Sequence, residues 1–525
     1  MNINVISRRT FLQRSLLGGA GLGLAALTNI PPFARKVLAE GNVGLDGKKL
    51  LFIFLRGAND ALNSVIPYGD SSYNQTNRPN IYIPQGAADY TSTGVPCYFP
   101  TGLGDTFGFA NQLPIGNGFN ALHPSLKFLA PIYNAGQLAL IHRVGYPRQS
   151  RSHFDSQLFW ENGDPNNNGL REGIFYRALY EAGVTATNPL SGVSIQGGLP
   201  LLFRGPNAAL TNISDPTRYD LFGIPRGDTL GDAKLKSAIL RSDSFQFAPK
   251  RSRDLVALQR ANTIATLDIF GGIDFSETGN TFVDDANSDG AGSSPYHLFP
   301  TDNTINGGGT PATYVVDQGA YGFFDDLKAA ALILNKTDAI IAGTEMGGFD
   351  THDNQGSVAG QHANLLSRIA WAMYALRKYF LLNADKTTWN NLVVVTLTEF
   401  GRTTIQNTNN GTDHAEAGVM FVAGGKVKGF NTPGRSSGVI AGHPSDSVGW
   451  VSGPSGSMFG VAGRYLRRAV DFRSVLGEVI REHLGATQSQ LDRIIPGYAN
   501  PDESLKNQGT SQIDSTPIMG EVDVV

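Results

Sequence analysis

Cysteine is almost absent: Cys97 is the only one in 525 residues. An intramolecular disulfide and any thiolate-based zinc site are therefore excluded. A dominant charge is missing too. Lys and Arg number 42 against 45 Asp and Glu, a net charge of −3, without the basic excess of a nucleic-acid binder. Beyond the N-terminal region no run reaches roughly 18 consecutive apolar residues, so no stable transmembrane anchor is expected. No internal repeat and no G-X-Y period occurs, so the 63 glycines read as turns and long loops. What remains is a globular composition, 41% hydrophobic and 17% charged, with material for a large core.

The most specific local feature is N-terminal. Ser7-Arg8-Arg9-Thr10-Phe11-Leu12 sets two arginines before the weakly apolar stretch Leu16 to Leu27, and Val37-Leu38-Ala39 offers a small-residue cleavage site. This resembles a twin-arginine signal peptide over residues 1–39. It implies the twin-arginine export machinery as a partner and a periplasmic or secreted destination. The alternative is a basic amphipathic helix.

Short apolar runs, Lys48 to Leu55, Gln137 to His142, Ala339 to Ala342, Leu392 to Thr398 and Val419 to Ala423, read as buried strands. Helices are expected over Ser125 to Asn134 with a break at Pro131, Ser252 to Ile269, Tyr321 to Leu334, His362 to Tyr379 and Phe472 to Leu484. Strands alternating with helices predict an α/β fold with a mostly parallel sheet. The main domain is expected over residues 40–500, with an inserted cap over about 170–311. The segment 501–525 lacks periodicity and is expected to be an extended or disordered tail.

In such a sheet, ligands gather where loops leave the carboxyl ends of strands. Four loops there carry metal-ligand chemistry: Arg56 to Asp60, Ser150-Arg151-Ser152-His153, Gly347 to His352, and Glu399 to Arg402 followed by Asp413-His414. Carboxylates and imidazoles suit hard or borderline divalent metals. Structural alternatives stand beside several of them. Asp60 can cap a helix, Asp413 can orient His414, and Arg402 can either clamp an anion or bridge to Glu399. His123, His297, His362, His443 and His483 read as structural. Asp285-Ala286-Asn287-Ser288-Asp289-Gly290 matches the opening of a calcium loop, but Tyr296 stands where the bidentate Glu is expected.

The motifs LRGAND, ALHPSL, GYPRQSRSHFDSQLFW, GGFDTH, TLTEFGR, GTDHAEAGVMFVAGG and DFRSV, with the twin-arginine start, resemble the exported bacterial domain-of-unknown-function family 1501 over about Gly47 to Gly485. That family is placed by fold with the alkaline phosphatase and sulfatase superfamily. The resemblance implies an alkaline-phosphatase-like sandwich and a divalent metal, zinc or calcium, held by Asp60, Asp350, His352, Glu399 and His414. It implies Ser152 or His153 as nucleophile, with His153 alternatively a metal ligand, Arg56 or Arg402 steadying the anion, and an anionic phosphate or sulfate ester as substrate. The chain departs from the superfamily pattern in places. One residue separates Asp350 from His352 where phosphatases have three, and Phe400 replaces a ligating His. The expected activity is ester hydrolysis; the alternative is a degenerate site in an exported binding or assembly protein.

Overall fold

The computed structural model describes residues 47–85, 112–275, 297–499 and 503–525, apart from breaks at 186–187, 189, 209, 220–227, 244–250, 308–310, 312–313, 431, 433–434 and 436. The signal segment and the calcium-loop motif from Asp285 to Tyr296 lie outside the described residues.

Nine strands form one sheet: β1 (Lys49–Leu55), β2 (Leu138–Gly145), β3 (Gly192–Ile195), β4 (Thr211–Ile213), β5 (Ile341–Met346), β6 (Leu392–Thr398), β7 (Gly418–Ala423), β8 (Val439–Ile440) and β9 (Val470–Asp471). Their order is β8-β2-β7-β6-β1-β5-β3-β4, with β9 also pairing with β2. β1 is parallel to β5 and β6, and β3 is parallel to β5 and β4. β7 runs antiparallel to both β6 and β2, whereas β8 and β9 are parallel to β2. β7 is thus the one reversed strand of this sheet. The carboxyl ends of β1, β2, β5 and β6 and the start of β7 therefore share one edge.

The two-residue period of a strand divides the core into two layers. Leu51, Ile53 and Leu55 of β1 pack on one face, where α6 (Tyr321–Lys336) and α7 (Gln361–Leu382) cover them. Leu50, Phe52 and Phe54 pack on the other, beneath α3 (Ile174–Glu181), α8 (Phe472–Glu478) and α9 (Gln488–Ile494). Burying each such side chain stabilises the fold by about 1.5–3 kcal/mol. The fold is an α/β sandwich with a largely parallel mixed sheet flanked by helices.

Three expectations need correction. The presumed insertion holds β3 and β4, which are strands of the central sheet; they are too short to stand out by periodicity. Its remaining helices are α4 (Thr229–Asp243) and α5 (Arg251–Phe270). The Ser125–Asn134 helix is a 3-10 turn, Pro124–Leu129, followed by an α-turn, Ala130–Asn134. The break precedes Pro131, which sits in the first turn, where a missing N–H is tolerated. The C-terminal tail is packed, not disordered. Gly509–Thr510 and Pro517–Ile518 form a hairpin, and the buried Glu478 carboxylate accepts backbone N–H bonds from Val522, Asp523, Val524 and Val525. Such backbone capture leaves no periodic trace in the sequence.

Candidate metal centre

Loops at the shared edge approach closely because two glycines permit it. Gly57 has φ +112°, and a Cβ there would stand 2.3 Å from the Asp350 backbone nitrogen. A Cβ on Gly411 would stand 2.2 Å from the His352 carbonyl oxygen. The buried Arg402 side chain then ties these loops. Its Nε donates to the Ala58 carbonyl (3.0 Å), Nη1 to Thr412 (3.1 Å), and Nη2 to Phe349 (3.1 Å) as well as to the Gly57 carbonyl and Asp350 Oδ1.

His153 opens helix α2 (His153–Asn162), and Ser152 is its N-cap, accepting from the Asp155 backbone N–H at 3.4 Å. His153 Nε2 and His352 Nε2 each lie 2.9 Å from His414 Nε2. Asp350 Oδ1 lies 3.3 Å from His153 Nε2, 3.2 Å from His352 Nε2 and 3.3 Å from His414 Nε2. One ligand atom each from His153, Asp350 and His414 falls within 4.8 Å of the others.

The opposite ring nitrogens fix the tautomers. His153 Nδ1 faces Glu399 Oε1 at 2.8 Å, His352 Nδ1 faces Asp413 Oδ1 at 3.2 Å, and His414 Nδ1 faces the Arg151 carbonyl at 2.8 Å. A carbonyl and an ionised carboxylate only accept, so each Nδ1 holds its proton. The neutral His153 and His352 rings therefore each turn a bare Nε2 lone pair toward His414 Nε2 and Asp350 Oδ1. Lone pairs 2.9 Å apart repel unless a cation or a proton lies between them. Imidazoles that donate one N–H to a carboxylate or carbonyl while presenting the other nitrogen form the usual metal-binding arrangement.

The electrostatics agree. Burial opposes the charge of Glu399, yet hydrogen bonds from His153, Gln157 and the Gly57 N–H hold its carboxyl below the ordinary range. Partial burial also opposes Asp350, but the Arg402 guanidinium draws it down to about 2. Asp413 is likewise lowered, with Asn407 and His352 donating to it against partial burial. The Glu399 hydrogen bond raises His153, and burial followed by the Arg402 charge lowers His414. Phe400, fully buried, closes the floor with its ring centroid 4.8 Å from that of His153 and 4.9 Å from that of His414. The other side remains open, with Asp350 47% exposed.

Asp350, His352, His414 and His153 come together; six other candidates serve elsewhere. Asp60 caps α1 (Ala61–Ser64) and is held by Arg78 at 2.7 Å, both side chains fully buried. Glu399 orients His153 instead of joining the converging nitrogens. Arg56 pairs with Glu161 (2.8 Å) and Glu345 (2.9 Å) over the Phe54 ring. Arg402 holds loops together, so its fork is not open to a substrate, and it makes no hydrogen bond to Glu399. Ser152 caps its helix, and among the described residues no base is bonded to its hydroxyl. Asp413 orients His352, not His414.

Sequence reasoning missed Gln355. Its Nε2 donates to Asp60 Oδ2 (2.7 Å) while its Oε1 accepts from Thr351 (3.0 Å) and Thr412 (2.7 Å), residues next to His352 and Asp413. Only its position three residues after His352 hints at this. The Arg151 carbonyl has no sequence signature at all.

Residues 312–447 match the model of a family described as Protein of unknown function (DUF1501). The matched stretch carries Asp350, His352, Glu399, Arg402 and His414, and it excludes β1 and His153. No curated protein and no solved structure matches the chain.

Proposed function

We propose that this protein is an exported, metal-dependent hydrolase of phosphate or sulfate esters with an alkaline-phosphatase-like sandwich. The observation that carries the proposal is the meeting of the His153 and His414 imidazole nitrogens with the Asp350 carboxylate at 2.9–3.3 Å, with His352 Nε2 beside His414 and Asp350. His153, His414 and Asp350 would hold one divalent ion, with His352 next to the last two. Imidazole donors suit zinc far better than calcium, which takes oxygen ligands. When bound, such an ion polarises an ester oxygen and lowers the pKa of water.

The chain's own residues do the rest. Glu399, Asp413 and the Arg151 carbonyl keep protons on the Nδ1 atoms, so the Nε2 lone pairs stay available. Arg402 keeps Asp350 ionised and aimed, and Phe400 excludes water from beneath. Water is the nucleophile in this reading, because Ser152 is engaged as a cap and has no base beside it. His414→Ala should fold yet lose bound zinc and ester hydrolysis. Ser152→Ala should keep both and lose about 1 kcal/mol of stability as a lost cap. Wild-type protein without zinc, indistinguishable from His414→Ala, would sink the proposal. A second reading, a metal-holding binding protein without turnover, is favoured by the engagement of Ser152, Arg56 and Arg402 in structure. Zinc content without hydrolysis of any ester would select it.

A further inference from the structure

Two cations that the sequence reading passed over flank the imidazole group. The Arg151 guanidinium lies 4.6 Å from the Tyr465 ring centroid, and that of Arg464 lies 5.4 Å from the same centroid. Both belong to backbone fixed to the site. The Arg151 carbonyl accepts from His414 Nδ1 at 2.8 Å. The Arg464 carbonyl accepts from the Thr404 backbone N–H (3.1 Å) and hydroxyl (3.0 Å), two residues beyond Arg402. Arg464 Nη2 reaches Asp413 Oδ2 at 3.2 Å, and the other oxygen of that carboxylate orients His352. The Arg151 carbonyl is thus one hydrogen bond, and the Arg464 guanidinium two, from an imidazole of the centre, and one aromatic ring holds both side chains.

Arg151 differs from Arg56 and Arg402. It is exposed, and among the described residues its guanidinium has no carboxylate within ion-pair distance. An exposed guanidinium steadied on an aromatic face is suited to receive an oxyanion.

We infer that Arg151 and Arg464, held by Tyr465, form the anion-recognition rim of this site and select a tetrahedral oxyanion, the phosphoryl or sulfuryl group of a monoester. The inference rests on the metal-centre reading and names the substrate class for it. It also answers the loss of Arg56 and Arg402 as clamps, since Arg151 and Arg464 would supply the charge for the anion.

The test titrates inorganic phosphate and, separately, sulfate into the zinc-loaded protein by calorimetry, with zinc content measured for each variant. Arg151→Gln should weaken binding by about tenfold, the loss of a charge-assisted contact, with zinc content unchanged. Arg464→Gln should weaken it similarly, and Tyr465→Leu less. The tighter of the two anions identifies the ester. Binding of neither anion to the wild type overturns the inference, as does unchanged affinity in both arginine variants. A wild type that takes up no zinc defeats the metal reading instead. The same titration on that protein still decides the rim: affinity lost in Arg151→Gln supports it, and affinity unchanged or absent overturns it.

Discussion

Replacing Glu399 by Gln separates two roles that the sequence alone leaves merged. Were Glu399 a metal ligand, removing its charge would cost the site a donor and empty it, as His414→Ala should. In the structure Oε1 accepts from the Gly57 N–H (2.8 Å), His153 Nδ1 (2.8 Å) and Gln157 Nε2 (3.0 Å), while Oε2 is buried without a partner. A glutamine can place its carbonyl at Oε1 and keep those bonds, with its amide at the Oε2 position. His153 then keeps its tautomer but loses a charged acceptor that raises its basicity. Loss of such a supporting carboxylate lowers metal affinity about 10–100-fold, or roughly 1.4–2.7 kcal/mol. Glu399→Ala is harsher, since it strands the His153 and Gly57 N–H donors in a buried site, at about 1–3 kcal/mol each. Competition against a chelator of known affinity reads the first effect, and urea unfolding reads the second. Zinc affinity in Glu399→Gln within twofold of wild type would refute the argument that the Glu399 charge supports His153, and complete loss of zinc from folded protein would return Glu399 to the ligands.

Two further outcomes follow. Asp60→Asn leaves the fully buried Arg78 unpaired and should destabilise the protein by about 3–5 kcal/mol in urea; zinc per folded molecule should stay at the wild-type value, and its disappearance would make Asp60 a ligand after all. Arg8→Lys combined with Arg9→Lys should leave the protein in the cytoplasm with its leader uncleaved, and normal export of the double variant in a fractionation assay would remove the twin-arginine reading.

The strands and helices were legible where hydrophobic pattern dictates them. Leu392 to Thr398 is apolar enough to be buried on both faces, and it is β6 without change of boundary. The helix expected over His362 to Tyr379 extends to Gln361–Leu382, since its apolar stripe fades before its backbone does. β3 and β4 escaped because they span four and three residues, within a Gly- and Asn-rich stretch. At the site, strand-end logic brought out Asp350, His352 and His414 because residue type and topology coincide there. It misjudged Asp60, Glu399, Arg56 and Arg402 for one shared reason. A charged residue at a strand end reads the same whether it faces the ligand or faces a neighbouring loop, and only side-chain direction separates these cases. Asp60 points to Arg78, Arg56 to Glu161 and Arg402 to backbone carbonyls. The sequence set Glu399 among the ligands and left His153 as nucleophile or ligand, whereas in the structure His153 Nε2 faces His414 and Asp350 and Glu399 stands behind it.

That exchange of places bears on how many ions the site can carry. A two-ion centre needs further donors around a second point roughly 3.5–4 Å from the first. The residues nearest at hand are unavailable for it. Asp60 is bound by Arg78 and Gln355. Glu399 has one oxygen shared by three donors, and its other oxygen is sealed from solvent. Phe400, which follows it, presents a ring to both His153 and His414 and offers no lone pair. An apolar ring at that position lowers the local polarity and would leave a second cation unsolvated on that side, a cost that no nearby carboxylate offsets. On the proposed metal reading, the arrangement favours a single ion with one open face. Further positive charge for a bound oxyanion would then come from side chains, the part that the inference above gives to Arg151 and Arg464.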